Sequence, residues 1–91
     1  IETYYWSSSK NEKKLATYVQ NEVIDSTGLD SRGVKTANYR VIGTTNPTQA
    51  ILVELGFISN PDEEQIIETS SFQNDAATGI VNGLEAYYES L

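Results

Sequence analysis

The chain has 91 residues, with no cysteine, no histidine, and 13 acidic residues against 6 basic ones. Without cysteine and histidine it can form no Ser-His-Asp triad, no Cys-His pair, no disulfide and no thiolate or imidazole metal site of its own. The net charge of −7 argues against nucleic-acid binding, because too few cations are present to neutralise a row of phosphates. The apolar runs are short, so no membrane span is predicted. The general bases that remain are Asp, Glu, Lys and Tyr.

The first half of the chain predicts a strand, a helix and a second strand. Residues 1–6 are rich in β-branched and aromatic side chains, as strands are. In residues 10–26, Leu15, Val19 and Val23 recur every four residues, which predicts a helix with one apolar face. Gly28 is placed to end that helix in a left-handed conformation. A further strand is predicted at residues 39–42, within the segment 34–43.

The next segment predicts a buried strand and a short helix. Residues 50–57 form the most apolar run of the chain, and its unbroken apolar character predicts a strand buried on both faces, as in a parallel sheet. Asn60 can cap a helix that begins at Pro61 and ends near residue 69. Ile66 and Ile67 are expected to point inward from this short helix.

The C-terminal segment predicts a long helix that starts with a capping box at Ser70 and Gln73. Gly79 and Gly83 share a stripe on this helix, where small residues would allow a neighbouring element to approach closely. The apolar positions expected to face the core recur every four residues: Phe72, Ala76, Ile80, Leu84 and Tyr88. The predicted elements together indicate an α/β fold with a mixed or mostly parallel central sheet flanked by helices.

Glu54 conflicts with its surroundings, since it lies near the C-terminal end of the apolar run 50–57. A buried carboxylate without a partner is costly or takes up a proton. Open α/β sheets place their ligands at the C-terminal ends of strands, so a carboxylate there suits general acid–base work. The alternative is a structural role, in which Glu54 pairs with Arg32, Lys35 or Arg40, or points into solvent.

Two other groups of residues carry weaker functional hypotheses. The acidic residues 62–64 could bind a hard cation, but at a helix start they are expected to complement the helix dipole. The aromatic residues 4–6 could stack on a sugar ring. Alternation along a strand would however send them to opposite faces, so at least one face is expected to belong to the core.

Several stretches of the chain form a recognisable series, of which the most specific is the string Val-Glu-Leu-Gly-Phe-Ile-Ser-Asn at residues 53–60, which contains Glu54. The other stretches are residues 2–6, Leu15-Ala16, residues 32–35, Phe72-Gln73, Ala76-Ala77, Ile80 and Gly83. In this order they resemble the zinc-dependent N-acetylmuramoyl-L-alanine amidases of the amidase-3 type, found in bacterial autolysins, sporulation lysins and phage endolysins.

The resemblance implies a peptidoglycan hydrolase that cleaves the amide between N-acetylmuramic acid and L-alanine. Members of this family hold a zinc ion with two histidines and one glutamate. The glutamate of the Val-Glu-Leu-Gly-Phe string, here Glu54, is the general base and acid. The resemblance also implies an extracytoplasmic location, secreted or associated with the cell wall.

The chain departs from this family in its metal ligands, which in family members precede the strand that contains residues 2–5. Residues 1–91 are therefore expected to be the C-terminal half of one catalytic domain, with the zinc ligands in a preceding N-terminal half. The chain alone is expected to bind no zinc and to be inactive. Two alternatives are a non-catalytic half-domain that binds the wall or a partner, and a small acidic interaction module with accidental likeness.

Overall fold

The computed structural model describes residues 1–6, 10–36, 49–56 and 60–91, which form three strands and three helices. In chain order they are β1 (Glu2–Tyr5), α1 (Lys10–Thr27), β2 (Val34–Thr36), β3 (Leu52–Glu54), α2 (Pro61–Ile67) and α3 (Ser70–Glu89). The α/β class is confirmed, and β1, α1, β3, α2 and α3 lie where elements of these types were predicted, whereas β2 at Val34–Thr36 was not predicted as a strand. The strand predicted at residues 39–42 lies outside the described residues.

Within the described residues, β1 is the central strand of a mixed sheet with the order β2-β1-β3. It runs parallel to β2 and antiparallel to β3. The prediction that residues 50–57 form a strand buried on both faces, as in a parallel sheet, is therefore wrong. Strand β3 pairs antiparallel with β1, and each of its three residues is only half-buried. Val53 packs against the apolar core, whereas Leu52 and Glu54 point to the opposite face of the sheet, because side chains alternate along a strand.

Helix α1 forms as predicted, and its apolar stripe supplies much of the core. Leu15, Val19 and Val23 are buried, and they form one cluster with Ile1. The helix ends at Gly28, whose φ of 73° is in the left-handed region and whose N–H donates to the carbonyl of Ile24 at 2.9 Å. Glycine adopts this conformation without the steric cost that a Cβ would bring.

Helix α3 packs closely on α1 at two glycines, as the small-residue stripe predicted. A Cβ built on Gly79 would lie 2.6 Å from the Cα of Val23, and one built on Gly83 would lie 2.5 Å from the Cα of Val19. Both distances are far shorter than van der Waals contact. The two helix backbones can therefore approach this closely only because glycine carries no side chain.

The buried face of α3 differs from the predicted one. Leu84 and Tyr88 are exposed and Ile80 is half-buried. A strict four-residue repeat drifts around a helix of roughly 3.6 residues per turn, so a stripe that starts at Phe72 leaves the core before the C-terminus. The residues that are buried instead combine spacings of three and four: Phe72, Ala76, Gly79, Gly83 and Tyr87.

The helix starts in the C-terminal half of the chain are capped by side chains. The Asn60 side chain accepts hydrogen bonds from the N–H groups of Asp62 and Glu63, which confirms the predicted start of α2. The cap of α3 is Thr69 rather than the predicted Ser70, since the Thr69 hydroxyl accepts from the N–H of Phe72 at 3.1 Å. The inward position predicted for Ile66 is wrong, because its side chain is 40% exposed.

Gln20 joins α1 to β1 and to the segment before β2. Its amide oxygen accepts from the Thr3 hydroxyl at 2.8 Å, and its amide nitrogen donates to the Ile1 carbonyl at 2.7 Å and to the Ser31 hydroxyl at 2.9 Å. The Ser31 hydroxyl in turn accepts from the N–H of Gly33 at 3.1 Å. These hydrogen bonds hold β1 and the entrance to β2 against one helix.

The segment before β3 is held by both long helices. The Glu12 carboxylate on α1 accepts from the N–H of Ala50 at 3.0 Å, and the Tyr87 hydroxyl on α3 donates to the side-chain oxygen of Gln49 at 2.9 Å. The start of β3, and with it the strand that ends at Glu54, is thereby fixed relative to the core.

Candidate active site

The candidate site lies on the face of the sheet opposite to the one that Gln20 contacts. Because side chains alternate along β1, Thr3 points toward α1, whereas Glu2 and Tyr4 point to the other face. The strand register completes this face, since Glu54 on β3 lies opposite Glu2, and Lys35 on β2 lies opposite Tyr4. We call these four residues, Glu2, Tyr4, Lys35 and Glu54, the carboxylate cluster.

Glu2 is the most buried member of the carboxylate cluster, with 3% of its surface exposed. One of its carboxylate oxygens pairs with the Lys35 ammonium, and the other accepts a hydrogen bond from the Tyr4 hydroxyl. Lys35 is itself half exposed, so Glu2 is covered by the side chains that bind it and lies close to the protein surface.

These contacts keep the Glu2 carboxylate charged. The hydrogen bond from Lys35, then that from Tyr4, hold the pKa of Glu2 below its ordinary value of 4.5. Burial acts in the opposite direction, and the charge of Lys35 lowers the pKa further. The balance follows the general rule that hydrogen bonds to the charged form and an adjacent opposite charge both favour ionisation.

Glu54 is the last residue of β3 and is half-buried. Its side chain lies on the same face of the sheet as that of Glu2, which is its partner in the strand register. The sequence also allowed a structural ion pair between Glu54 and Lys35. The structure does not contain this pair, because the Lys35 ammonium binds Glu2. Arg40 lies outside the described residues. The arrangement thus places the predicted acid–base residue beside a second carboxylate.

Glu2 and Lys35 were not predicted as site residues. A signal for Glu2 was present in the sequence, since it is a carboxylate within a β-branched and aromatic strand, just as Glu54 is within an apolar one. The link between the two depends on the antiparallel pairing of β1 with β3, which the sequence did not predict.

The described residues do not provide a metal site. Among residues 1–6, 10–36, 49–56 and 60–91, no three Asp or Glu side chains converge in a way that could hold an ion. The acidic residues 62–64 lie in the first turn of α2, where they complement the helix dipole. Zinc prefers nitrogen and sulfur ligands with some carboxylates, and the two carboxylates of the cluster do not make up such a set. We therefore derive no chemical step through a metal ion held by this chain.

No helix in the described part of the chain is both long and apolar enough to cross a membrane. Helix α1 packs on the sheet and on α3.

Comparison with known proteins identifies the class of this α/β fold. The family model described as N-acetylmuramoyl-L-alanine amidase (amidase-3) matches residues 1–86. The chain therefore belongs to the amidase-3 family of N-acetylmuramoyl-L-alanine amidases.

Solved structures of amidases share this fold. An N-acetylmuramoyl-L-alanine amidase from Clostridium difficile 630 is 36% identical with a TM-score of 0.92, over 98% of this chain and 48% of that one. The catalytic domain of CwlV, an N-acetylmuramoyl-L-alanine amidase from Bacillus (Paenibacillus) polymyxa var. colistinus, is 35% identical with a TM-score of 0.83, over 97% of this chain and 48% of that one.

A relative that is similar in sequence is also named as an amidase. The protein named "Probable cell wall amidase LytH" from Staphylococcus epidermidis (strain ATCC 12228 / FDA PCI 1200) is 35% identical over 88 residues, which are 97% of this chain and 30% of that protein. The chain thus spans less than half the length of the proteins it matches.

Proposed function

We propose that this chain is the C-terminal half of an amidase catalytic domain that hydrolyses the bond between N-acetylmuramic acid and L-alanine in peptidoglycan. The observation that carries the proposal is the position of Glu54 at the end of β3, half-buried and beside a second carboxylate, in a chain of the amidase-3 family. The coverage of 48% of the CwlV catalytic domain supports the half-domain interpretation.

Glu54 acts in this proposal as general base and then as general acid. Its carboxylate takes a proton from a water molecule while the water oxygen forms a bond to the scissile carbonyl carbon. When the carbon–nitrogen bond breaks, the same proton passes from Glu54 to the leaving amine of L-alanine. The products are the free carboxyl group of the lactyl ether and the free amino group of the peptide.

Zinc is the proposed cofactor of the complete domain, with its two histidines and one glutamate in the preceding half. When bound, it would polarise the carbonyl and the water. The chain has no histidine, and among its described residues no three Asp or Glu side chains converge as a ligand set, which supports the proposal that this half alone binds no zinc and is inactive. The proposed location is extracytoplasmic, at the cell wall, because the peptidoglycan substrate is there.

Substitution of Glu54 in the full-length protein tests the proposal. Glu54→Gln keeps the size of the side chain but cannot accept the proton from water, so we expect kcat for release of stem peptides from peptidoglycan to fall by about 10²-fold or more. Zinc content by elemental analysis is expected to stay at the wild-type level. Glu85→Gln, which changes an exposed glutamate on α3, is the matched control and should keep full activity.

Two results would contradict the proposal in different ways. Wild-type activity in the Glu54→Gln variant would remove Glu54 from the acid–base role. A full-length wild-type protein that binds peptidoglycan without releasing any new amino group would favour the alternative, a non-catalytic wall-binding protein with this fold.

A further inference from the structure

The carboxylate cluster contains two glutamates with different surroundings. Glu2 receives the Lys35 ammonium on one oxygen and the Tyr4 hydroxyl on the other, and it is almost completely buried. Glu54 lies opposite Glu2 in the antiparallel register, at the strand end, and is more exposed. The cluster therefore supplies a cation and a hydroxyl donor to one carboxylate while the other has the more open position.

Two adjacent carboxylates do not both remain charged at low cost, because their like charges repel. Which of the two holds a shared proton depends on their other partners. The Lys35 ammonium and the Tyr4 hydroxyl both stabilise the charged form of Glu2. Both contacts thus fall on Glu2, the carboxylate that lies opposite Glu54 in the strand register.

We propose that Glu2 is a positioning residue for Glu54, kept ionised by Lys35 and Tyr4 so that the proton taken from water is held on Glu54 until it is passed to the leaving amine. This inference rests on the proposed function and adds a role for Glu2, Lys35 and Tyr4. Glu2 itself does not contact substrate in this scheme, and acts only through its charge and its position opposite Glu54.

In this scheme Glu54 gains one proton and later releases the same proton. Glu54 gains one proton when the bond between the water oxygen and the carbonyl carbon forms, and it loses the same proton when the carbon–nitrogen bond breaks. Glu2 stays ionised throughout, and the Lys35 ammonium stays protonated beside it. No further oxidant, reductant or base is needed.

The test uses the full-length, zinc-loaded protein and separates kcat from KM on soluble muramoyl-peptide fragments. Glu2→Gln keeps the oxygen that can accept from Lys35 or Tyr4 but removes the charge. We expect kcat to fall about tenfold with KM and zinc content unchanged, the effect of losing one adjacent charge in the chemical step. Lys35→Met should lower kcat to a similar extent, because Glu2 is then no longer held ionised.

A double variant and a matched control distinguish positioning from mere stability. Since Lys35 acts through Glu2, adding Lys35→Met to Glu2→Gln should lower kcat no further. Glu85→Gln makes the same change at an exposed glutamate on α3, outside the carboxylate cluster, and should leave kcat unchanged. If Glu2→Gln does not fold, Lys35→Met and Tyr4→Phe decide the question, because both leave the Glu2 side chain in place.

The inference is overturned if the variants that fold keep kcat within twofold of the wild type, or if they raise KM or lose zinc with kcat unchanged. Failure of the proposed function is a separate result. In that case the wild-type protein is itself inactive, and the inference falls with it. An active wild type, an inactive Glu54→Gln variant and a fully active Glu2→Gln variant would overturn only the role of Glu2.

Discussion

The charged carboxylate of Glu2 makes the stability of the fold depend on pH, in addition to its proposed role beside Glu54. It is buried as an anion and bound by Lys35 and Tyr4, which lower its pKa below 4.5. An acid with a lower pKa in the folded state than in the unfolded chain stabilises the fold above its unfolded pKa. That stabilisation is lost as the pH falls through the pKa of the folded state, where Glu2 becomes protonated and its pairing with Lys35 ends.

We therefore expect Glu2→Gln to change the dependence of stability on pH. Above pH 4.5 the variant should unfold more easily than the wild type by about 1 kcal/mol, a modest value because solvent screens the half-exposed Lys35. As the pH falls below 4.5, the difference should shrink toward zero. The measurement is the free energy of unfolding by urea at a series of pH values for both proteins. A difference that stays constant or grows on acidification would contradict this account of Glu2.

At the scale of elements, the contact between α1 and α3 depends on the two glycines of α3. Gly83 approaches the backbone of Val19, and Gly79 approaches that of Val23. A flexible side chain could move away from an added methyl group, but a helix backbone cannot do so unless the whole helix shifts. The same helices hold Gln49 and Ala50 ahead of β3, so a shift between them would reach the strand that carries Glu54.

Gly83→Ala tests this contact. In an exposed helix the change from Gly to Ala is stabilising by roughly 1 kcal/mol. Here we expect destabilisation of about 2 kcal/mol, because the new Cβ would lie 2.5 Å from the Cα of Val19 and force the helices apart. The readout is the free energy of unfolding by urea, with Asn82→Ala at the exposed neighbouring position as the control, expected to be within about 0.5 kcal/mol of the wild type. A Gly83→Ala protein as stable as the wild type would contradict the close contact.

At the scale of the whole molecule, the two long helices lie on one side of the described sheet and the carboxylate cluster lies on the other. The helices and the apolar face of the sheet share one core, which includes Ile1 and Tyr87. The opposite face carries the carboxylate cluster. The chain spans 48% of the amidase from Clostridium difficile 630, and we propose that it holds the acid–base residue while the metal ligands lie in the other part of the domain.

The isolated 91-residue chain is therefore expected to bind no stoichiometric zinc at neutral pH. It has no histidine or cysteine, and the carboxylates among its described residues do not converge as a ligand set. Elemental analysis of the purified chain after dialysis against zinc is the measurement, with the full-length protein as the comparison that should bind one zinc ion. One zinc ion bound per isolated chain would show that ligands exist within these 91 residues.

Local pattern was sufficient for much of this fold. The apolar spacing of α1, its end at Gly28 and the cap at Asn60 depend on neighbours a few residues away, so the sequence predicted each of them correctly. The same is true of the glycine stripe on α3. The position of Thr69 as cap and the outward position of Leu84 were missed, because the exact phase of a helix is set by what it packs against.

The sequence by itself indicated the family, the α/β class and the position of Glu54 within an apolar run. Only the tertiary structure decided that β3 lies antiparallel to β1, and hence that Glu54 lies opposite Glu2. Strand pairing joins residues that are distant in the chain, so the local alternation of side chains did not determine the direction or the register in which β3 pairs with β1. The absence of histidine and cysteine excluded an imidazole or thiolate metal site within the chain, while the tertiary contacts of Lys35 and Tyr4 with Glu2 favour the charged form of that carboxylate.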